Sequence, residues 1–230
     1  MLGLNVCVVG AVKTHSSLNT NQSYLGHFKL WQLGFQHGDP SLSNIMINPS
    51  TKRGVLNDWD LSYDNSGGDA GYVAGGERTG TLPFMPLDLL TGKAWDGNVR
   101  HLYRHDLEGF IWILPWVFLQ YEDSLLTIPV LQEWQTGDYA QCAKAKNSLI
   151  HEIRSGDVAA TESWKAEWEL AISLLYWLQG EEAARGQNRT APPRSPKDVF
   201  NSFYNAMCLA REHYRPLENL MHELKLTSIE

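Results

Sequence analysis

Apolar residues recur at helical spacing through the second half of the chain. The 3.6-residue period of helices that bury one face is found in four segments: 104–121, 138–154, 161–180 and 197–226. The first contains the run GFIWILPWVFL, which is shorter than the roughly 20 apolar residues of a membrane helix. It therefore predicts a helix in the protein core. The polar stretch 181–196, EEAARGQNRTAPPRSP, predicts a surface linker before the last helix.

Shorter apolar runs alternate with polar loops in the first half of the chain. The sequence HFKLWQLGF (27–35) has the spacing of a helix end that Gly34 closes. Two short β-type runs, NIMIN and GVLND, flank the turn-rich PSTK and predict a small hairpin over residues 44–58. Residues 62–80 hold six glycines without an apolar period, which predicts a long mobile loop. The whole pattern predicts a mainly α (α+β) fold.

Composition excludes several classes of function. The 230 residues are 43% hydrophobic, enough for an ordinary core, and 26 acidic against 19 basic residues give a net charge of −7. No overall positive field exists to attract a nucleic acid, so no nucleic-acid partner is expected. The three cysteines are far apart and lack C-x-x-C spacing, which indicates neither a disulfide framework nor a zinc site. The N-terminal MLGLNVCVVGAV lacks the features of a targeting signal. We expect an intracellular protein (cytoplasm or nucleus) without a membrane partner.

The stretch HGDPSLSN (37–44) is the first candidate for a catalytic or metal-binding site. Asp39 and Asn44 stand five positions apart, and Asp58 follows on the far side of the predicted hairpin. A hairpin brings its ends together, so these three side chains are expected to converge. Their oxygens suit Mg²⁺, which would also offset the repulsion between the two carboxylates. The alternative interpretation is that Asp and Asn beside Pro or Gly are ordinary turn residues.

Four blocks of the sequence, taken in order, resemble known motifs. HGDPSLSNIMI is similar to the kinase catalytic loop H-R-D-x-x-x-x-N. DWDLS, whose first residue Asp58 stands 58 − 39 = 19 positions after Asp39, is similar to D-F-G. GTLPFMPLD (80–88) is similar to the segment that ends in A-P-E, and HLYRHDLEGFIWIL (101–114) to the start of the long central helix. The chain thus resembles the protein kinases, and specifically the fungal-type protein kinase family.

The resemblance implies a fold and a role for each matched residue. It implies a kinase-like large C-terminal lobe over residues 27–226, with an atypical N-terminal segment, 1–26, in place of the small lobe. Asp39 would be the catalytic base, and Asn44 and Asp58 would hold the Mg²⁺ that accompanies ATP. The implied partners are a nucleotide and a protein substrate. Three further residues would shape the catalytic loop: His37, Thr81 and Asp106.

Several positions depart from the family pattern. Gly38 replaces the arginine of the catalytic loop, so no guanidinium is available there to bind a phosphorylated loop. Trp59 and Asp60 replace the Phe and Gly that follow the D-F-G aspartate, which removes the positive-φ option of glycine. Asp88 stands where a glutamate is expected, and its side chain is one methylene shorter.

The small lobe is the largest part of a kinase to which no segment of this sequence is similar. Only 36 residues precede His37, whereas a small lobe occupies well over about 80 and supplies the Gly-rich loop and the phosphate-binding lysine. Lys13 in VVGAVK lies only 37 − 13 = 24 residues before His37, so its likeness to the V-A-I-K strand is accidental. We therefore expect a large lobe alone, with weak activity or none.

Three functions remain open from the sequence. The first is a fungal-type kinase that transfers phosphate from ATP to protein Ser or Thr. The second is a pseudokinase-like scaffold whose C-terminal helices, residues 138–226, bind a partner. The third is a small-molecule phosphotransferase, because such enzymes tend to carry HGD as this chain does. The sequence leaves the acceptor and the oligomeric state open.

Overall fold

The computed structural model of the protein describes residues 26–48, 50, 54–59, 63–64, 80–122, 125–126 and 129–209. Predictions for Lys13, for the N-terminal segment, for most of the loop 62–80 and for residues 210–226 lie outside this part of the chain. The described part is mainly helical with a few short strands, in agreement with the predicted mainly α class.

Six α-helices and six short strands follow one another along the described chain. The helices are α1 (26–32), α2 (Gly92–Trp95), α3 (Tyr103–Phe118), α4 (Tyr139–Ser155), α5 (Trp168–Gln187) and α6 (Pro196–Leu209). The strands are β1 (Phe35–Gln36), β2 (Ile45–Ile47), β3 (Gly54–Leu56), β4 (Tyr63–Asp64), β5 (Tyr121–Glu122) and β6 (Leu125–Leu126). Single 3₁₀ turns occupy Leu82–Phe84, Leu87–Leu90, Gln132–Gln135 and Glu162–Trp164.

The predicted hairpin is confirmed. Strands β2 and β3 pair antiparallel, with Ile45 opposite Leu56 and Ile47 opposite Gly54. Ile45 and Leu56 are both buried, so one face of the hairpin joins the core. Because β2 and β3 run antiparallel, the loop before β2 and the residues after β3 lie at the same end of the hairpin.

Helix α3 is the centre of the core, as the apolar run 109–119 predicts. Every residue of α3 except Arg104 is buried. The helix packs against α5, α6 and the 3₁₀ turn Leu82–Phe84. Gly109 allows the closest approach, since a Cβ there would lie 3.1 Å from the Pro40 carbonyl oxygen and 3.3 Å from that of Phe84. The absence of a side chain at this one position therefore lets the loop 37–44 and the 80–84 segment both rest on α3.

The predicted bounds of α4 are confirmed, whereas those of α5 require correction. Helix α4 agrees with prediction to within one residue, with Asp138 as its N-cap and Gly156 (φ +79°) as its C-cap. Helix α5 begins at Trp168 rather than at 161, because Thr161 is held away from the helix by hydrogen bonds to the Phe118 and Tyr121 carbonyls.

Helix α5 also extends further at its C-terminal end than predicted. It continues to Gln187, whereas residues 181–196 were expected to form a linker. The residues EEAARGQ include Glu, Ala and Arg, which have high helix propensity, so they extend the helix although they are polar. The linker between α5 and α6 therefore begins only at residue 188. No helix in the described part of the chain is both long and apolar enough to span a membrane.

Candidate active site

The loop between β1 and β2 turns sharply just before Asp39. Gly38 has φ +82°, a conformation that favours glycine because other residues meet their own backbone there. Apart from its two chain neighbours, no described residue has a heavy atom within 4 Å of the place that a Cβ would take, so a side chain at residue 38 would add backbone strain without a collision with these residues. The glycine that departs from the family pattern thus suits the backbone that carries it.

His37 connects the loop to the end of the hairpin. Its imidazole is fully buried, and burial lowers the pKa of His37 below its ordinary value of 6.5, which favours the neutral ring. In that state Nδ1 accepts a hydrogen bond from the Asp39 amide (3.2 Å), while Nε2 donates to the Asn57 carbonyl (2.9 Å). The edge of the Trp59 indole packs on the same ring. One neutral imidazole therefore ties Asp39 to the residue that precedes Asp58.

The carboxylate of Asp39 is held by Thr81. Its Oδ1 accepts a hydrogen bond from the Thr81 amide (2.8 Å), and its Oδ2 accepts one from the Thr81 hydroxyl (3.1 Å). Gly80, with φ +142°, gives the backbone the turn that presents both Thr81 donors. These two hydrogen bonds fix the orientation of the carboxylate, and Asp39 as a residue is half-buried.

Asn44 closes the loop onto Asp39. Its Nδ2 donates to the Asp39 carbonyl oxygen (3.0 Å) and lies 3.4 Å from Asp39 Oδ2. The Asn44 carbonyl accepts from the Asn57 amide (2.7 Å), which continues the hairpin by one residue. Since Nδ2 faces Asp39, the one contact of the Asn44 carboxamide oxygen with the described residues is a long one, 3.5 Å, with the Ser43 hydroxyl. Among these residues, that oxygen has no shorter contact.

Asp58 follows directly after this junction and has an unusual backbone. Its φ of +64° makes it the only non-glycine residue with positive φ in the described part of the chain. Such strain persists only where surrounding contacts impose it, and it is concentrated at functional sites. The Asp58 side chain is exposed, and within the described residues it makes no hydrogen bond with Asp39 or Asn44.

The structure brings some of the predicted residues into direct contact and links another through the backbone. Asp39 contacts both Asn44 and Thr81, whereas Asp58 is linked to them through the backbone of Asn57. The described residues contain no cluster of three His, Cys, Asp or Glu that could hold a metal ion. The predicted pair, Asn44 and Asp58, offers one carboxamide oxygen and one carboxylate. This set fits Mg²⁺, which uses few protein ligands and keeps waters and substrate phosphates in its coordination shell.

Asp106, at the start of α3, lies in the core next to the loop 37–44. Its carboxylate is fully buried and accepts hydrogen bonds from two imidazoles, His27 on α1 and His101, each at 2.7 Å. The Gly38 amide lies 3.5 Å from the same carboxylate. Burial alone would raise the pKa of Asp106, but the charge and hydrogen bonds of His101 and His27 hold it well below its usual range. Asp106 is therefore an ionised group under the loop.

A buried lysine and glutamate hold the segment that carries Thr81. Lys146 on α4 donates to the Met85 carbonyl (2.6 Å), and Glu108 on α3 accepts from the Leu87 amide (2.6 Å). Burial lowers the pKa of Lys146 to about 8 and raises that of Glu108. These contacts fix residues 85–87 between α3 and α4, and thereby fix the position of Thr81 against Asp39.

Asp88 contacts an arginine despite its short side chain. Its Oδ2 lies 2.6 Å from the Arg104 guanidinium and 3.9 Å from that of Arg185. The ends of α3 and α5 thereby approach the 3₁₀ turn Leu87–Leu90. The missing methylene is compensated within the fold, since α3 places Arg104 close to the turn.

Sequence reasoning missed four of the residues that support the site. Two of them bind Asp106 and two hold the 85–87 segment: His27, His101, Glu108 and Lys146. A charged residue inside an apolar run was a usable signal for Glu108, which stands in HDLEGFIWIL, because a buried carboxylate requires partners. The other three carry no spacing that distinguishes them from surface residues.

Comparison with known proteins identifies one segment. Residues 6–118 match the sequence model of a family described as fungal protein kinase, which confirms the resemblance inferred from the motifs. The match covers 118 − 6 + 1 = 113 of the 230 residues and includes every site residue described above from Asp39 to Asp106. No curated protein matches the chain.

Proposed function

We propose that the candidate site transfers a phosphoryl group from ATP to a hydroxyl group, because residues 6–118 match the model of the fungal protein kinase family. Asp39 is the general base that orients the acceptor hydroxyl and takes its proton. Asn44 and Asp58 bind Mg²⁺. Bound Mg²⁺ would neutralise charge on the nucleotide phosphates.

The observation that carries this proposal is the fixed orientation of Asp39. Thr81 donates to both carboxylate oxygens, and Asn44 holds the backbone beneath them. A general base gains most when its position is set before the substrate arrives, because no reorganisation is then needed during proton transfer. The partial exposure of Asp39 leaves room for a hydroxyl to approach.

The residues around Asp39 support its role without touching the nucleotide. His37 and Asp106 hold the loop through the Asp39 and Gly38 amides, so they position the base from behind. Because His37 is neutral and buried, it adds no positive charge that would compete with Mg²⁺ for the Asp58 carboxylate. These residues are positioning residues in the proposed reaction.

The proposed acceptor is a serine or threonine of a protein, as the family implies. One observation favours a second candidate, a small hydroxylated molecule: residue 38 is a glycine in a conformation that disfavours the arginine of protein kinases. Both candidates use the same base and the same metal ligands. They differ only in the molecule that occupies the space in front of Asp39.

Acceptor profiling tests the proposal. Purified protein with Mg²⁺ and labelled ATP is incubated separately with Ser/Thr peptides, Tyr peptides, choline and an aminoglycoside, and the Asp39→Asn variant is run in parallel. We expect weak label on Ser/Thr peptides that depends on Asp39. Transfer only to choline or the aminoglycoside would establish the second candidate. Absence of transfer to every acceptor would contradict the proposed reaction and favour the pseudokinase-like scaffold.

A further inference from the structure

A cavity distinct from the candidate active site lies next to the start of α3. It has a volume of about 620 Å³ and is formed by α1, the start of α3, the end of α5 and the linker to α6. His101 is part of its wall and also donates to Asp106, whose carboxylate lies 3.5 Å from the Gly38 amide of the catalytic loop. Volumes of roughly 300–1,000 Å³ are typical of sites for small ligands.

The wall of this cavity is positively charged although the chain as a whole is acidic. Five arginines line it: Arg100, Arg104, Arg185, Arg189 and Arg194. Nearby carboxylates offset part of this charge, since Asp88 pairs with Arg104 and Glu181 pairs with Arg194. With Glu182, which interacts with Arg185, and the ionised Asp106 behind His101, the balance is 5 − 4 = +1, against −7 for the chain. This concentration of guanidinium groups favours an anionic ligand.

Two residues of the wall carry polar atoms whose hydrogen bonds are not made. The Tyr103 hydroxyl and Arg104 Nη1 are buried and have no partner among the described residues. Tyr103 is only 3% exposed, and burial raises its pKa well above the usual value, so the hydroxyl keeps its proton and can donate. A buried polar atom without a partner is energetically costly, and both atoms lie beneath the accessible surface of the wall.

The cavity also has apolar lining residues. They include Trp31, Val199 and three prolines of the linker and the start of α6, interspersed with the arginines. Inorganic phosphate would fill only a small part of about 620 Å³ and would leave these side chains without contact. The geometry points to a binding site for an organic anion in which a phosphate or carboxylate group is attached to an apolar body. This inference does not depend on the proposed function.

Calorimetric titration with three probes tests the site. Phenyl phosphate has both halves of the inferred ligand, inorganic phosphate has only the charge, and benzyl alcohol has only the apolar part. We expect phenyl phosphate to bind at least about tenfold more tightly than either of the others, because only it can contact both the arginines and the apolar residues of the cavity. Equal affinity for inorganic phosphate, or no binding of phenyl phosphate, would overturn the inference.

Variants locate the binding on this cavity rather than on the active site. The double variant Arg100→Gln and Arg189→Gln changes two exposed side chains and is expected to fold normally. It should weaken phenyl phosphate binding about tenfold or more, because two of the guanidinium groups that attract the anion are removed. Arg154→Gln, an exposed arginine of α4 outside the cavity, is the matched control and should bind as the unchanged protein does. Unchanged binding in the double variant would refute the assignment.

Discussion

Phosphoryl transfer is expected to fall by about 10²- to 10⁴-fold in the Asp39→Asn variant, which is the usual contribution of a general base. The carboxamide that this substitution introduces has the size of the carboxylate but cannot take a proton from the acceptor hydroxyl. It keeps one oxygen for the Thr81 hydroxyl or amide, so the loop should retain its shape. The measurement is kcat with a fixed peptide acceptor, together with the affinity for nucleotide in the presence of Mg²⁺.

The control for this experiment is Asp96→Asn, which makes the same chemical change at an exposed aspartate. We expect kcat of the control to be unchanged. Nucleotide affinity should stay nearly the same in both variants, because Asp39 is not one of the proposed Mg²⁺ ligands. A kcat within a few-fold of the unchanged protein in the Asp39→Asn variant would exclude Asp39 as the base.

The Asp106→Ala variant is expected to lose about 3–5 kcal/mol of unfolding free energy, the usual cost of removing one partner of a buried ionic group. Two buried or half-buried imidazoles, His27 and His101, would lose their acceptor at once. The measurement is chemical denaturation at neutral pH. If this variant does not fold, Asp106→Asn keeps one acceptor oxygen and is expected to lose about 1–3 kcal/mol.

The contribution of Asp106 also depends on pH. Its pKa in the folded protein is lower than the ordinary value of 3.8, so below pH 3.8 the unfolded chain binds a proton that the folded chain does not. Stability from this group is therefore complete above about pH 5 and declines as pH falls below about 3.8. The difference in stability between the unchanged protein and Asp106→Asn should shrink in acid. Asp96→Ala, at an exposed position, should show neither effect.

Local features of the site were predictable from the sequence. The hairpin is set by two β-type runs around a turn, so the closeness of Asn44 to the residue before Asp58 follows from neighbouring sequence alone. The contact of Asp39 with Asn44 also spans only five residues. The core position of α3 followed from its continuous apolar run, which can be satisfied only in the interior.

Features set by distant contacts were not predictable. His27 and Asp106 are 79 residues apart, and Lys146 and Met85 are 61 apart, so only the packed fold brings them together. The predicted start of α5 was wrong for the same reason, since Thr161 bonds to Phe118 rather than entering the helix. Tertiary contacts override local helix propensity in such cases.

The most direct test of the account is the Mg²⁺ dependence of nucleotide binding. Binding of a fluorescent ADP or ATP analogue is measured with Mg²⁺ and with EDTA, in the unchanged protein and in Asp58→Asn. We predict that Mg²⁺ tightens binding in the unchanged protein, and that Asp58→Asn removes most of this gain because the metal loses its carboxylate ligand. Binding that is equally tight in EDTA, or a Mg²⁺ effect that survives in Asp58→Asn, would contradict the account.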